Sequence, residues 1–353
     1  MSLPALCRRP QDTPVNPLEN LTCTRPYIDL RLRASIEWPV MRAATIRDGE
    51  VVVAERPDPD PGAGELLVRV RAAGLNGADI LQRAGAYPAP PGAPADIPGL
   101  ELAGEVAVAG PRAERFGEGD RVMAIVAGGG QAELAVVHER VAMPVPHGLD
   151  WPAAGGLPEV FTTAHDALFT QAALLPGERL LVHGGAGGVG TAAIQLGRAA
   201  GARVTATVRR EQLRDAVAGL GAEAIPPEGF AQRGPFDVIL ELVGAPNLEA
   251  NLEALAPGGR IAVIGVGAGA KAQLNLLALM GKRARIHGST LRARPLEDKA
   301  VAARAVERQV LPLFESGGLT VPVAATHPLD NVADAYERFT AGGKLGKIVL
   351  LPG

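Results

Sequence analysis

The sequence predicts an α/β protein in which a compact, barrel-like β region precedes a doubly wound parallel sheet. Three observations predict it. Short, alternating apolar runs separated by Gly/Pro turns occupy residues 41 to about 158. After them, strand-like and helix-like segments alternate for about a hundred residues, the pattern of a parallel sheet with crossover helices. At the head of that alternation stands HGGAGGVG (183–190), which contains G-x-G-x-x-G.

The elements follow in order. Residues 1–40 mix Pro, Arg, Asn and Asp without apolar periodicity, and they read as a disordered extension or a mis-assigned start. MRAATIRDGEVVVAERP then gives a β-like run, a turn and a second run, with Met41 as the natural beginning of a domain. GELLVRVRAAGL (64–75), ELAGEVAVAG (101–110) and GDRVMAIV (119–126) are strands. The stretch from Trp151 to about residue 175 mixes loop and helix. Then come a strand at 178–184, a helix at 188–202, a strand at 203–208 and a helix at 210–222. A strand at 236–244, a helix at 247–259 and a strand at 260–266 continue the alternation. From Lys299 the pattern is a long helix, a short strand and a final helix–turn–strand ending in GKIVL.

Composition excludes several classes. The net charge of −3 and the scattered Lys and Arg offer no broad footprint for nucleic acid or an anionic membrane. No apolar run is long enough to span a bilayer. The two cysteines, Cys7 and Cys23, form no disulfide framework, and a cytoplasmic, reduced setting fits them best. The six histidines show no metal-ligand spacing, and residues 24–353 hold no thiol, so no zinc site is expected.

With 44 glycines in 353 residues, chance supplies about 0.7 accidental glycine motifs over the chain. Context gives this one its meaning. A buried strand ends at His183, the glycines follow, and a helix opens on GVGTAAIQ. Gly185 permits the turn, Gly187 lets a pyrophosphate approach, and Gly190 lets helix and strand pack closely. The backbone of Ala186, Gly188 and Val189 completes a phosphate cradle at the positive end of the helix. An NAD site places Asp or Glu at the end of the next strand. Here Val208 stands there, followed by Arg209 and Arg210. A guanidinium binds a 2′-phosphate that a carboxylate would repel, so NADPH is the expected cofactor. Thr207 can reach the adenosine ribose. His183 reads as a packing residue beside the loop.

The segments AAGLNGADILQRAGAYPAPPGAP (72–94), PGLELAGEV (98–106), GDRVMAIVAGGGQAELAVV (119–137), LPEVFTTAHDAL (157–168), LVHGGAGGVGTAAIQL (181–196), LEALAPGGRIAVIG (252–265), GSTLRAR (288–294) and GKIVL (346–350) carry a family likeness. In this order the chain resembles the zinc-independent quinone oxidoreductases of the medium-chain dehydrogenase/reductase superfamily. The nearest branch is the tumour-suppressor-inducible one. The resemblance implies a GroES-like catalytic domain at 41–162, a Rossmann NADP-binding domain at 163–298, and a segment at 299–353 that rejoins the first. It also implies a homodimer, an active cleft between domains, and no zinc. Where zinc-dependent relatives carry a cysteine, this chain has Asn76.

By that resemblance Asn76 orients the nicotinamide or a substrate carbonyl, although an Asn capping a turn reads the same. Tyr87 meets a quinone oxygen or is an exposed loop aromatic. Asp79 caps a helix. Thr162 and Thr163 face the nicotinamide. Val243 and Gly244, with Gly265 and Val266, line the ribose and nicotinamide at the sheet's carboxyl edge. Ser289 and Leu291 belong to a cofactor-side loop. Lys347 reaches the cofactor or is a solvated strand-edge lysine. The expected activity is NADPH-dependent reduction of quinones by hydride or single-electron transfer. An alkenal or enoyl reductase and a weakly catalytic NADPH-binding protein stay open beside it.

Overall fold

The structure, a computed structural model, describes residues 40–353. The reading of residues 1–40, Val40 apart, and both cysteines lie outside the described residues.

β1 (Val40–Arg47) and β2 (Glu50–Pro57) form an antiparallel hairpin. It turns at Asp48 and Gly49, whose φ values of 52° and 81° are left-handed. β3 (Glu65–Gly74) buries Leu66, Val68, Val70 and Ala72 on one face, which is why GELLVRVRAAG alternates. α1 (Gly77–Arg83), β4 (Glu101–Ala109), β5 (Arg121–Ile125), β6 (Leu134–His138) and β7 (Ala142–Pro144) follow. α2 (Trp151–Gly155) and α3 (Pro158–His165) lead out of this region, and α3 continues into a π-helical turn at Asp166–Gln171.

The alternating half then runs β8 (Arg179–Val182), α4 (Gly188–Ala199), β9 (Arg203–Thr207), α5 (Arg214–Gly219), β10 (Glu223–Ile225), β11 (Phe236–Glu241), α6 (Leu248–Ala254), β12 (Leu255–Val263), α7 (Leu276–Lys282) and β13 (Arg285–Gly288). α8 (Leu296–Gln309), α9 (Leu311–Glu315), β14 (Val323–Pro328), α10 (Val332–Thr340) and β15 (Lys347–Leu351) complete it.

Two larger sheets result. In the six-stranded sheet the order is β10-β9-β8-β11-β12-β13, every pairing parallel. That is the doubly wound order, with its switch point between β8 and β11. Leu180 and Val182 face one core and Leu181 the other. A sheet covered on both sides explains the unbroken apolar run in LLV. The seven-stranded sheet has the order β14-β15-β3-β4-β5-β7, with β6 on β3. β15 pairs antiparallel with β3 through Val349↔Gly74 and Leu350↔Ala73. The last strand therefore pairs back onto the first region.

Two boundaries differ from the sequence reading. The helix expected over 247–259 ends at Ala254, and β12 begins at Leu255. Pro257 has no N–H to continue a helix and disfavours α geometry at Ala256, and Gly258 turns at φ 80°. The helix expected over 210–222 shrinks to a 3₁₀ turn at Glu211–Leu213 plus α5, stopped by Gly219 and by Gly221 at φ 106°.

Candidate active site

The glycine loop lies at the carboxyl edge of β8, beside the switch point. Gly185 N–H donates to Thr207 O (3.0 Å) and Gly187 N–H to Gly184 O (3.0 Å), which folds the turn tightly. A Cβ on Gly190 would lie 2.4 Å from Gly184 O, and one on Gly185 would lie 2.8 Å from Ala206 Cβ. A Cβ on Gly187 would meet only Gly184 O, at 3.4 Å. The outer two glycines thus serve packing, while the middle one leaves its side open. Among the described residues no oxygen accepts from the N–H groups of Gly188, Val189 or Gly190. Three free amides at a helix start fit a pyrophosphate.

The loop is clipped to the chain's last segment. Gly346 N–H donates to Ala186 O (2.8 Å), and Gly187 bridges Gly346. The next turn presses on Arg209 and Arg210. A Cβ on Gly342 would lie 4.0 Å from Arg209 Nη2, and one on Gly343 would lie 3.7 Å from Arg210 Nε. Both arginines are exposed, and neither has a carboxylate partner among the described residues. Lys344, next in the chain, holds its amine over the Phe339 ring (4.4 Å) and donates to Gly346 O (2.9 Å). Burial, then Lys347 and Arg338, push that amine down to about 8. The two exposed guanidiniums fit a phosphate on the adenosine end. Val208 is buried, so no acid stands in the way. Thr207 is 3% exposed, and its hydroxyl is engaged with His183 Nδ1 (3.2 Å) and Gly184 N–H (3.2 Å).

Across the loop, Lys347 is neither a solvated strand-edge residue nor a free cofactor ligand. It is 2% exposed. Its ammonium spends its donors on Glu101 Oε1 (2.6 Å), Leu75 O (2.7 Å) and Asn76 Oδ1 (2.7 Å). The stem packs on the glycine loop, since a Cβ on Gly188 would lie 2.9 Å from Lys347 Cδ. Glu101 is fully buried and also accepts from Asn76 Nδ2 (3.0 Å) and Glu159 N–H (2.8 Å). One buried ion pair therefore ties β4, β15, α3 and the Asn76 loop together. Asn76 begins α1, but the carboxylate of Asp79 is what caps the Asn76 amide (2.8 Å), while also accepting from Gly99 N–H (3.1 Å). Burial, offset by those two amides, still raises Asp79 to about 6.

A zinc ion takes thiolate, imidazole or carboxylate ligands. Among the described residues no three His, Cys, Asp or Glu side chains converge. Beside Asn76 stand two fully buried carboxylates, Glu101, already paired with an ammonium, and Asp79, already accepting from two backbone amides. That donor set does not fit zinc.

Tyr87 is half-buried, and its phenol has no hydrogen-bond partner among the described residues. The guanidinium of Arg292 lies 5.1 Å from the ring centroid. Arg292, 4% exposed, also donates to Tyr87 O (3.1 Å), Gln82 Oε1 (2.7 Å) and Ala127 O (2.8 Å). It fastens the Tyr87 loop to α1. Thr163 donates to Glu159 Oε1 (3.4 Å). Thr162 is 2% exposed and its hydroxyl has no partner among the described residues. With Leu291, Ile125 and Lys299 it lines a cavity of about 10 Å³, room for one water. Ser289 is bound to Asp166 Oδ2 (3.2 Å) and to Arg294, an ion pair beside the π-helical turn.

At the sheet's carboxyl edge Glu241 organises the second loop. Its Oε1 accepts from Val243 N–H (2.6 Å) and Gly244 N–H (2.8 Å), and its Oε2 from Asn251 Nδ2 (2.7 Å). Gly244 sits at φ 119° against Gly269 O, and Gly265 against Leu242 O. Only Gly fits either approach. Val266, at 43% exposure, forms the rim. His183 Nε2 donates to Asn251 Oδ1 (2.7 Å), and the ring packs edge-on to Phe230.

The structure thus brings Asn76, Lys347 and Gly188 into one cluster and joins Thr163 to it through Glu159, whereas Thr162 and Leu291 share the separate small cavity and Arg209 and Arg210 lie against the turn at Gly342 and Gly343. Sequence reasoning missed Glu101, Glu159, Arg292, Glu241 and Lys344. The first three lie inside the segments LELAG, LPEVFTTA and STLRAR that carried the resemblance, which was the one available signal.

Comparison with known proteins gives a consistent picture. Residues 62–147 match the family model described as alcohol dehydrogenase GroES-like domain, and residues 188–307 match the one described as zinc-binding dehydrogenase. The chain is similar to the quinone oxidoreductase of Lama guanicoe, at 32% identity over 306 residues, covering 83% of this chain and 90% of that protein. It is likewise similar to the quinone oxidoreductase of Homo sapiens, at 31% identity over 329 residues, covering 88% and 98%. Among solved structures it superposes on an alcohol dehydrogenase superfamily protein from Novosphingobium aromaticivorans with a TM-score of 0.78 and 29% identity, over 89% of this chain and all of that one.

Proposed function

The chain belongs to the quinone oxidoreductase family of the medium-chain dehydrogenase/reductase superfamily, and on that premise we propose that it reduces quinones or similar electron-poor acceptors with NADPH and without zinc. The observation that carries the reading is the Asn76–Lys347–Glu101 cluster packed directly against the glycine loop. It supplies a rigid, metal-free wall where the reacting ring would stack.

When bound, the cofactor supplies the hydride. The amides of Gly188, Val189 and Gly190 hold its pyrophosphate, and Arg209 and Arg210 hold the 2′-phosphate. Asn76, fixed by Lys347 and Glu101, presents its edge to the nicotinamide side, and Thr162 and Thr163 close that wall. Val243, Gly244, Gly265 and Val266 shape the ribose end; the Glu241 carboxylate occupies the Val243 and Gly244 amides, so this loop acts by shape. The Tyr87 phenol donates to the acceptor oxygen on which charge develops, and Arg292 keeps it in place. Geometry and a dry cleft lower the barrier.

The proposal extends to a cytoplasmic homodimer. Among the described residues no helix is long and apolar enough to cross a membrane. β13 is the open edge of the six-stranded sheet, and beside it Leu276, Leu277 and Met280 are 63%, 78% and 71% exposed. The deciding experiment is a turnover screen of quinones and α,β-unsaturated aldehydes with NADPH and NADH. Quinone turnover with NADPH preferred is the expected result. Aldehydes favoured by orders of magnitude would shift the reading to an enal reductase, and tight NADPH binding without acceptor-dependent oxidation would shift it to a binding protein.

A further inference from the structure

Glu159 stands second in α3, in the first turn, where an acid answers the helix dipole. The structure gives it another setting. Its backbone N–H is tied to Glu101 Oε2 (2.8 Å), which fixes the residue at the ion pair. Its side chain makes no salt bridge among the described residues, and its hydrogen bond there comes from Thr163 Oγ1 at 3.4 Å. The nearest cation on that side, Lys347, has already committed its donors to Glu101, Leu75 and Asn76. Glu101 and, beyond it, Asp79 add like charge. Tyr87, Arg292 and Lys299 also lie within electrostatic reach of Glu159. A partly exposed carboxyl tied by its backbone to a spent ion pair, without a salt bridge of its own among the described residues, is placed to stay neutral.

We propose that Glu159 is the proton donor of the cleft, a carboxylic acid that protonates the acceptor once it has received a hydride. This rests on the reductase reading above. Burial is the largest cause that raises its carboxyl, Glu101 adds to it, Lys347 opposes it, and the balance stands at about 8. At neutral pH the group therefore holds the proton that the reaction consumes. Hydride transfer brings two electrons and one hydrogen to a quinone, leaving a hydroquinone monoanion. The Glu159 O–H bond then breaks, the proton forms an O–H bond on the anionic oxygen, and the electron pair remains on the carboxylate. Solvent returns the proton before the next turnover. Tyr87 is not the source, because burial raises its phenol further above the ordinary value. Asp79 is not the source, because two amides occupy its carboxylate.

The test compares the full chain with Glu159→Gln and Glu159→Asp. With saturating NADPH and a benzoquinone, kcat of the parent is expected to fall as pH rises through about 8. Glu159→Gln is expected to lower kcat at least tenfold, below the roughly hundredfold or more typical of a general acid because the hydroquinone anion is itself stable, and to erase that alkaline limb. Glu159→Asp keeps the limb at reduced rate. The affinity for NADPH, read by fluorescence titration, stays within twofold in both variants and confirms that the site is folded. An infrared band of a neutral carboxyl at pH 7, absent in Glu159→Gln, supports the same assignment. A Glu159→Gln enzyme that matches the parent in kcat and pH profile overturns the proton-donor role alone. A parent that turns over neither quinone nor enal overturns the reductase reading, and this role with it.

Discussion

Replacing Lys347 by Met is the sharpest probe of how the site is held. Met keeps the length of the stem against Gly188 and deletes the ammonium. Three donated hydrogen bonds vanish, and Glu101 is left as a fully buried carboxylate whose remaining partners are two neutral donors, Asn76 Nδ2 and Glu159 N–H. Breaking a buried pair by removing one partner costs about 3–5 kcal/mol, because the abandoned charge has neither water nor a counter-ion. Urea unfolding at pH 7, followed by circular dichroism, reads that loss directly. Adding Glu101→Gln to Lys347→Met restores part of the loss, and the double-mutant cycle returns a coupling of roughly 2 kcal/mol or more. NADPH affinity in Lys347→Met stays within a few-fold of the parent, since the ammonium faces Glu101, Leu75 and Asn76. A cost below about 1 kcal/mol would refute the reasoning. So would a small cost accompanied by abolished NADPH binding, which would make the amine a phosphate ligand.

Other expectations follow from the same geometry. Gly190→Ala places a Cβ 2.4 Å from Gly184 O, and calorimetric titration should show NADPH affinity falling at least tenfold. Arg209→Ala with Arg210→Ala should remove the preference for NADPH over NADH, a change of about 1.5–3 kcal/mol if a charge-assisted phosphate contact is lost; equal affinity for both cofactors in the parent would sink the argument. Arg292→Ala leaves Gln82 Oε1 and the carbonyls of Tyr87 and Ala127 without their donor. Thermal unfolding should report a loss of about 2–4 kcal/mol, and KM for the quinone should rise more than kcat falls. The pH dependence has a definite sign. Glu159 loses its proton near 4.5 in the unfolded chain but only at about 8 in the fold. Between those values the folded state binds more protons, so stability falls as pH rises. Glu159→Gln should flatten that slope, and an unchanged slope would show the carboxyl to be ionised throughout.

The glycine loop was legible because local backbone geometry fixes it. Gly190 is required by Gly184 O within the same turn and Gly185 by Ala206 on the next strand, and a strand and a helix flank them in the chain. The strand alternation of β3 and the unbroken apolar run of β8 were legible for the same reason, as each reports how many faces are covered. The end of α6 was not, because its apolar pattern runs on into LAPGG, and only Pro257 and the pairing of Leu255 with Phe236 stop the helix. The burial of Lys347 was not legible, because nothing near it in the chain predicts Glu101. Glu241 looked like an ordinary strand residue, and only the turn that folds the Val243 and Gly244 amides back onto it makes it an organiser. Side chains whose partners are distant, and whose burial depends on a second sheet, leave no periodic trace.

The contact between Lys347 and Asn76 spans 271 residues. During synthesis at about 5–20 residues per second, the loop that carries Asn76 waits roughly 14–54 seconds for the amine that will fix it. In that interval Glu101 has no counter-ion and cannot settle into a dry core, so the region holding it stays wet and incompletely closed. The nascent protein can assemble its glycine loop well before it can assemble the wall opposite. Competence therefore arrives late and all at once, when β15 docks on β3 and brings Lys347 into place.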